Sequence, residues 1–144
     1  MILISHRGNI NGKILSSENH PDYIDRAIKD GYDVEIDIRY IDNKLYLGHD
    51  TPDYLVTLEW LEQRQDKLWV HCKNHEVVEF MNQTDLNWFW HDGDDMTITS
   101  DGFIWCHPKI QPIKNSIAVL PDGMNWNLSK CVGICSDSIQ NYKK

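Results

Sequence analysis

The sequence predicts an α/β fold around a parallel sheet, and two patterns along the chain indicate it. In the first half, strand-like apolar runs alternate with segments of helical spacing in the order β-α-β-β-α-β-α-β. Strands and helices that alternate in this way form parallel sheets through right-handed crossovers. In the second half, short strands follow one another through connections rich in Pro, Gly and Asn. We therefore expect this half to be a barrel or sheet closed by turns.

Length and composition narrow the class of protein. The 144 residues suit one domain over residues 1–144, and the net charge of −8 argues against a nucleic-acid partner. No apolar run is long enough to cross a membrane, and the N-terminus shows no basic region with a cleavage site, so we expect a cytoplasmic protein without a transmembrane segment. The four cysteines lack the paired spacing of a zinc site and are expected to be reduced thiols: Cys72, Cys106, Cys131 and Cys135.

The first elements follow from local signals. An apolar run over residues 1–5 predicts a buried strand that ends at His6-Arg7-Gly8, and polar residues at such a strand end are where α/β barrels place their chemistry. Pro21 in the first turn and Gly31 after the last periodic residue bound a predicted helix. The later predicted elements are a hairpin with arms at 39–43 and 44–48, helices at 54–65 and about 75–82, and strands at 68–70, 87–90, 98–100, 103–106, 116–120 and 131–135.

The strand over residues 33–38 carries the main chemical signal. Side chains two apart share a face, so Glu35 and Asp37, with Asp33, point to one side while aliphatic residues pack on the other. Carboxylates that crowd one face repel each other unless a cation lies between them. Mg²⁺ or Ca²⁺ would serve, because both prefer oxygen ligands. An exposed polar face on an edge strand is the alternative that these residues leave open.

Four short motifs occur in an order and with gaps that match one known family: His6-Arg7-Gly8, Glu18-Asn19, Glu35-Ile36-Asp37 and His49-Asp50. Together they closely resemble the glycerophosphodiester phosphodiesterases of the phosphatidylinositol-phospholipase-C-like superfamily, which also includes the sphingomyelinase D toxins. The resemblance is best over residues 1 to about 75. The segment 132–137 is similar to the family's last barrel strand.

The resemblance implies a TIM-like (β/α)8 barrel, which typically takes ~250 residues and rarely fewer than ~200. Because this chain is much shorter, we expect a compact, trimmed barrel in which loops replace several outer helices. Apolar strand faces would then be covered by Trp and Tyr residues of the second half or by a second subunit, which leaves a homo-oligomer open.

The resemblance also implies roles for individual residues. His6 and His49 would be the acid/base pair, since an imidazole titrates near pH ~6.5. Glu35 and Asp37 would bind the divalent metal, with Glu18 close to it. Arg7 would bind a phosphate oxygen through its planar guanidinium.

The third strand departs from the family pattern. Lys73 stands where the family has a phosphate-contacting lysine, but His71 replaces an acidic metal ligand. As a neutral ligand, His71 would weaken the binding of Mg²⁺ or Ca²⁺, and it would make the binding of Mn²⁺ or Zn²⁺ relatively more favourable. Alternatively, it binds substrate and the ion keeps an extra water. Farther along, residues 91–95 are expected to be a solvated acidic loop, with a loop-lining role as the alternative.

The resemblance implies a phosphoric diester hydrolase of lipid metabolism acting on a small glycerophosphodiester. Ser5 and Cys72 should point away from the motif residues, so the attacking group is a water or a hydroxyl of the substrate, the latter giving a cyclic phosphate. Two other functions remain open: a non-catalytic barrel that binds a phosphorylated ligand, and a lyase of the phospholipase D toxin type.

Overall fold

A curled ten-stranded mixed sheet forms the centre of the computed structural model, which describes residues 1–144. The strands are β1 Ile2–His6, β2 Asp33–Ile41, β3 Lys44–Leu47, β4 Tyr54–Val56, β5 Leu68–Cys72, β6 Trp88–Phe89, β7 Met96–Ile98, β8 Ile104–Cys106, β9 Ser116–Val119 and β10 Gly133–Ser136. Three short helices accompany them: α1 Pro21–Lys29, α2 Leu58–Glu62 and α3 His75–Met81. None of the helices has the length and hydropathy required to span a bilayer.

Seven of the strands are parallel, in the order β6-β5-β2-β1-β10-β9-β8. The pair β3 and β4 continues from the far end of β2 as an antiparallel meander, and β7 pairs antiparallel with β8. The register places His6 beside Glu35 and Asp37 beside His71. The carboxyl ends of the central strands therefore deliver their side chains to one end of the sheet.

The expected trimmed TIM-like (β/α)8 barrel is wrong, because the sheet is an open, curled half-barrel with few helices. Three connections in the second half, residues 90–95, 99–103 and 107–115, are shorter than the dozen or more residues that a helical crossover needs. The longer connection, residues 120–132, forms no helix and has Pro121 as its second residue. Strands β6 and β7 do not pair with each other, and a single backbone hydrogen bond, from Ser100 N to the oxygen of Trp88 (2.8 Å), spans this part of the opening.

The convex face of β2 and β5 is the better covered part of the sheet. Helices α1, α2 and α3 pack over it, and its buried residues include the aliphatic side chains of β2 that the alternation predicted to lie opposite the carboxylates: Val34, Ile36 and Ile38. The convex side of β9 and β10 has no α-helix. A smaller buried cluster that includes Tyr32 and Ile139 covers it instead. The helices are thus concentrated behind the strands that carry the acidic residues.

The concave face is filled by large apolar side chains up to the level of the site. Trp69, Phe89 and Trp105 pack against one another, with ring centroids 4.6 Å apart for Phe89 and Trp105 and 5.8 Å apart for the two tryptophans. Ile4 and Ile117 complete this layer. It forms the floor beneath the polar residues at the carboxyl ends of the strands.

Local signals predicted several elements and missed one. Helix α1 begins at Pro21, with His20 accepting the backbone N–H of Asp22, and the hairpin turns at Asp42 and Asn43, as expected. The helix predicted over residues 54–65 is wrong in its first half. Tyr54–Val56 pairs with β3 as β4, and the helix begins only after Thr57, whose hydroxyl accepts the Trp60 N–H (3.1 Å). The four cysteines are all buried and unpaired.

Gly48 provides a test of the loop that carries His49. Its φ is 150°, and a Cβ added there would collide with the carbonyl oxygen of Thr51. We expect Gly48→Ala to lower the free energy of unfolding by about 3 kcal/mol, measured by chemical denaturation. Gly93→Ala is the control, because a Cβ there meets no atom within 4 Å. Equal stability of the two variants would contradict this account of the loop.

Candidate functional site

The carboxyl ends of the parallel strands surround a cavity of about 400 Å³. Six residues that the sequence singled out line it: His6, Arg7, Glu35, His49, His71 and Lys73. Five of the chain's seven histidines line this cavity. The strand register explains part of this concentration, because it places His6 beside Glu35 and His71 beside Asp37.

Glu35, Asp37 and His71 form a compact group on β2 and β5. The Nδ1 atom of His71 lies 3.5 Å from Oε1 of Glu35 and 3.4 Å from Oδ1 of Asp37. Each residue offers one ligand atom, and these atoms lie within 4.8 Å of one another. Two carboxylate oxygens, Oε2 of Glu35 and Oδ1 of Asp37, are buried without a hydrogen-bond partner. Buried charged oxygens without partners are costly, and a bound cation would satisfy them.

A hydrogen bond determines which nitrogen of His71 faces the carboxylates. Nε2 of His71 lies 3.0 Å from the carbonyl oxygen of His91, so Nε2 carries the proton and donates it. In the neutral imidazole, Nδ1 then presents its lone pair toward Glu35 and Asp37. A metal-ligating histidine is commonly held this way, with the other ring nitrogen bonded to a carbonyl. The three residues therefore fit a divalent cation.

The remaining oxygen of Asp37 is held by one hydrogen bond and one ion pair. Oδ2 accepts a hydrogen bond from Nδ2 of Asn19 (2.9 Å) and lies 3.0 Å from Nε of Arg7. Asn19 in turn accepts the backbone N–H of Asp37 (3.0 Å) and adopts a left-handed conformation with a φ of 64°. Asn19 thus orients the Asp37 carboxylate so that its other oxygen stays free on the side of His71.

The two buried carboxylates have opposite pKa shifts. Burial and the neighbouring charge of Glu35 raise the pKa of Asp37 above its usual range. Burial also acts to raise the pKa of Glu35, but the interactions with His71, His6 and Arg7 outweigh it and lower the pKa to about 2. Glu35 is therefore the stronger acid of the pair, and a bound cation would favour the ionised form of Asp37.

His6 is held by a carboxylate from the last strand. Its Nδ1 atom lies 2.7 Å from Oδ1 of Asp137, and its Nε2 atom lies 3.8 Å from Oε2 of Glu35. Asn9, fully buried, donates to the same oxygen of Asp137 (2.8 Å) and to Glu18 (2.7 Å). Asp137 therefore fixes the proton on Nδ1 when the imidazole is neutral, which leaves Nε2 to exchange protons in the cavity.

Arg7 and Glu18 form the next layer of charge. Nη1 of Arg7 lies 3.2 Å from Oε1 of Glu18, while Oε2 of Glu18 accepts from Asn9. Both oxygens of Glu18 thus have partners in the protein, whereas Glu35 and Asp37 each keep one buried oxygen without a partner. The role of Glu18 near a metal stays a prediction. The observed contact shows that Glu18 holds the guanidinium of Arg7.

His49 and Lys73 lie farther out. Nδ1 of His49 lies 2.7 Å from Oδ1 of the exposed Asp50, which leaves Nε2 without a protein partner. Arg39 holds this loop through the carbonyl oxygens of Gly48 and His49. Lys73 lines the cavity without an ion pair. The predicted acid/base role of His49 and phosphate role of Lys73 stay predictions.

Several residues in and around the site were not proposed from the sequence, or were given another role. Asp137 stands at the end of the segment similar to the family's last strand, which was its only signal. Asn9 shows no sequence signal, because its role depends on the turn after β1. His91 and Asp92 line the cavity, whereas Asp94 and Asp95 of the same segment are exposed, as expected of a solvated acidic loop. Lys13 and His107 also line it.

Comparison of the chain with models of known families, with characterised proteins and with solved structures found no match to any of them. The likeness to the phosphodiesterases therefore rests on the motif residues alone.

Metal binding can be tested without any assay of activity. We expect Glu35→Gln to weaken Mn²⁺ binding by about 100-fold or more, since loss of groups that merely support metal ligands already costs about 10- to 100-fold. We expect His71→Glu to tighten Mg²⁺ binding, because it supplies a hard anionic ligand. Isothermal titration calorimetry measures both, with Glu62→Gln on the exposed face of α2 as the control. Unchanged affinities in the Glu35 and His71 variants would place the ion elsewhere.

The His6–Asp137 contact predicts a pH dependence. Burial alone would lower the pKa of His6, but the hydrogen bond with Asp137 and the charge of Glu35 raise it above 6.5. The protonated imidazole therefore stabilises the metal-free fold fully below pH ~6.5, and this contribution is lost as the pH rises through the folded-state pKa. NMR titration of the imidazole in the presence of a chelator should show the raised pKa, and Asp137→Asn should lower it. The same pKa in both proteins would contradict the assignment.

Proposed function

We propose that the protein is a cytoplasmic, metal-dependent phosphodiesterase that cleaves a small glycerophosphodiester-like substrate. The observation that carries the proposal is a pair of buried, partnerless oxygens at a cavity that five histidines line: Oδ1 of Asp37 lies 3.4 Å from Nδ1 of His71, and Oε2 of Glu35 lies 3.8 Å from Nε2 of His6. The motif resemblance supports the reaction type. The four buried, unpaired thiols agree with a reducing compartment.

Glu35, Asp37 and His71 would hold the divalent ion, which when bound neutralises charge on the phosphoryl oxygens. The fit is best for an ion that accepts both oxygen and imidazole ligands, so Mn²⁺ and Zn²⁺ stand beside Mg²⁺ and Ca²⁺ as candidates. The remaining steps belong to side chains of the chain itself.

Arg7 and Lys73 bind the phosphate of the substrate. Arg7 is fixed by Glu18 and Asp37 and reaches the cavity wall, so its guanidinium is oriented before substrate arrives. Lys73 follows β5 and has no competing carboxylate within ion-pair distance. These two cations also stabilise the charge that develops during attack on phosphorus.

His6 and His49 transfer protons. One imidazole removes the proton from the hydroxyl next to the phosphoester, and that oxygen bonds to phosphorus while the bond to the leaving alcohol breaks. The other imidazole donates a proton to the leaving oxygen. Water then opens the cyclic phosphate with the two roles exchanged. A protein nucleophile is not required, since Ser5 donates to the backbone of Asn9 (2.8 Å) and Cys72 packs on the convex face.

The test compares a glycerophosphodiester with its analogue lacking the adjacent hydroxyl, followed by phosphorus NMR. We expect a cyclic phosphate from the first substrate and loss of turnover with the second, because intramolecular attack has an effective molarity of ~10⁵ M or more. His6→Gln and His49→Gln should each lower kcat by about 10²-fold or more. His75→Gln, an exposed histidine outside the cavity, is the control.

Each other outcome would replace part of the proposal. Equal turnover of the deoxy analogue would replace the substrate hydroxyl with an attacking water. Tight, metal-dependent binding of both compounds without any turnover would make the protein a binding module for a phosphorylated ligand. A cyclic phosphate that accumulates as the final product would make it a lyase.

A further inference from the structure

The side of the cavity above β8, β9 and β10 differs from the metal-binding side. It is lined by Lys13, His107 and a few apolar residues, with Asp137 as its carboxylate. A backbone contact sets the position of Lys13. Gly12 N donates to the backbone carbonyl oxygen of Asp137 (2.8 Å), and this hydrogen bond holds the Lys13 loop over the end of β10. The Asp137 carboxylate is already used by His6 and Asn9.

Lys13 is an exposed cation whose charge acts on the Asp137 carboxylate without a direct ion pair. Its ammonium group makes no hydrogen bond and no ion pair, and yet it lines the cavity. A phosphodiester carries one negative charge, for which Arg7 and Lys73 already provide donors from the side of β1 and β5. Lys13 therefore adds positive charge that the diester phosphate alone does not require.

His107 lines the same side of the cavity. Its Nδ1 atom accepts the backbone N–H of Lys109 (3.3 Å), so the proton of the neutral imidazole lies on Nε2. Nε2 has no partner in the protein. The ring of His91 packs edge-on against that of His107, with centroids 5.7 Å apart at an angle of 87°, and restricts its rotation.

We propose that Lys13 and His107 form a subsite for a second oxyanion, carried by the alcohol group of the substrate. The substrate is then a phosphodiester whose leaving alcohol bears a phosphate monoester or a carboxylate. The assignment of the first phosphate rests on the proposed function, but the subsite itself does not require turnover. The other lining carboxylate on this side, Asp92, follows His91 in the loop after β6, is exposed to solvent and has no partner in the protein.

Three ligands that differ in one group test the subsite: 3-hydroxypropyl phosphate, propane-1,3-diyl bisphosphate and 3-(phosphonooxy)propanoate. Calorimetry with the full chain at constant ionic strength should show that the bisphosphate binds about tenfold or more tightly than the monophosphate, as expected of charge-assisted hydrogen bonds to a second anion. The carboxylate analogue identifies the anion: weaker binding than the bisphosphate selects a phosphate monoester, and equal or tighter binding selects a carboxylate.

Variants tie this preference to the two residues. Lys13→Gln and His107→Gln should each reduce the preference for the second anion, and the double variant should abolish it. Lys109→Gln removes an exposed charge from the same loop as His107 without touching the cavity, and it should keep the preference. No binding of any of the three ligands, equal affinity for all three, or the same loss in Lys109→Gln would overturn the subsite.

The same measurements separate this inference from the proposed function. A second-anion preference that depends on Lys13 and His107, in a protein that cleaves no diester, would leave the subsite standing and remove the enzyme. Diester cleavage without such a preference would support the proposed enzyme and overturn the subsite.

Discussion

The burial of two acidic side chains on one face of β2 is the constraint on which the rest of the site depends. Glu35 and Asp37 are both almost fully buried, and like charges in so little water destabilise each other. The surrounding residues compensate this in part: Arg7 and Asn19 hold one oxygen of Asp37, while His71 faces both carboxylates. Two oxygens nevertheless stay without partners, and a cation bound there would satisfy them.

Strand register turns this local feature into a site. Because β2 lies between β1 and β5, its two carboxylates are flanked by His6 on one side and His71 on the other. Each of these histidines is oriented by a partner from a distant part of the chain, Asp137 for His6 and the carbonyl of His91 for His71. Both imidazoles therefore present one defined nitrogen to the centre of the cavity, which is what metal binding and proton transfer each require.

The sequence predicts well those features that depend on residues close together in the chain. The alternation in β2 predicted which side chains share a face, and the hairpin turn at Asp42 and Asn43 needed only its own residues. The helix predicted from residue 54 failed because pairing of Tyr54–Val56 with β3 overrides helical spacing, a long-range effect. The barrel expectation failed for a related reason: it came from a family of longer chains, and the short connections after β6 cannot hold crossover helices. The contact between Asn9 and Asp137 joins residues 128 apart in the chain, which no local pattern reports.

The helices lie behind the strands that carry the buried carboxylates. All three helices pack behind β2, β3 and β5, and the largest apolar cluster lies there, directly beneath the buried carboxylates. Apolar burial is the main favourable term in folding, so this is where it can offset the unfavourable burial of charge. The side above β8, β9 and β10 buries no such pair of carboxylates and is covered by a smaller cluster and by loops. A short 3-10 helix, Ile139–Tyr142, belongs to that smaller cluster. The loop after β8 carries His107 to the rim of the cavity, and the connection between β1 and α1 carries Lys13 there.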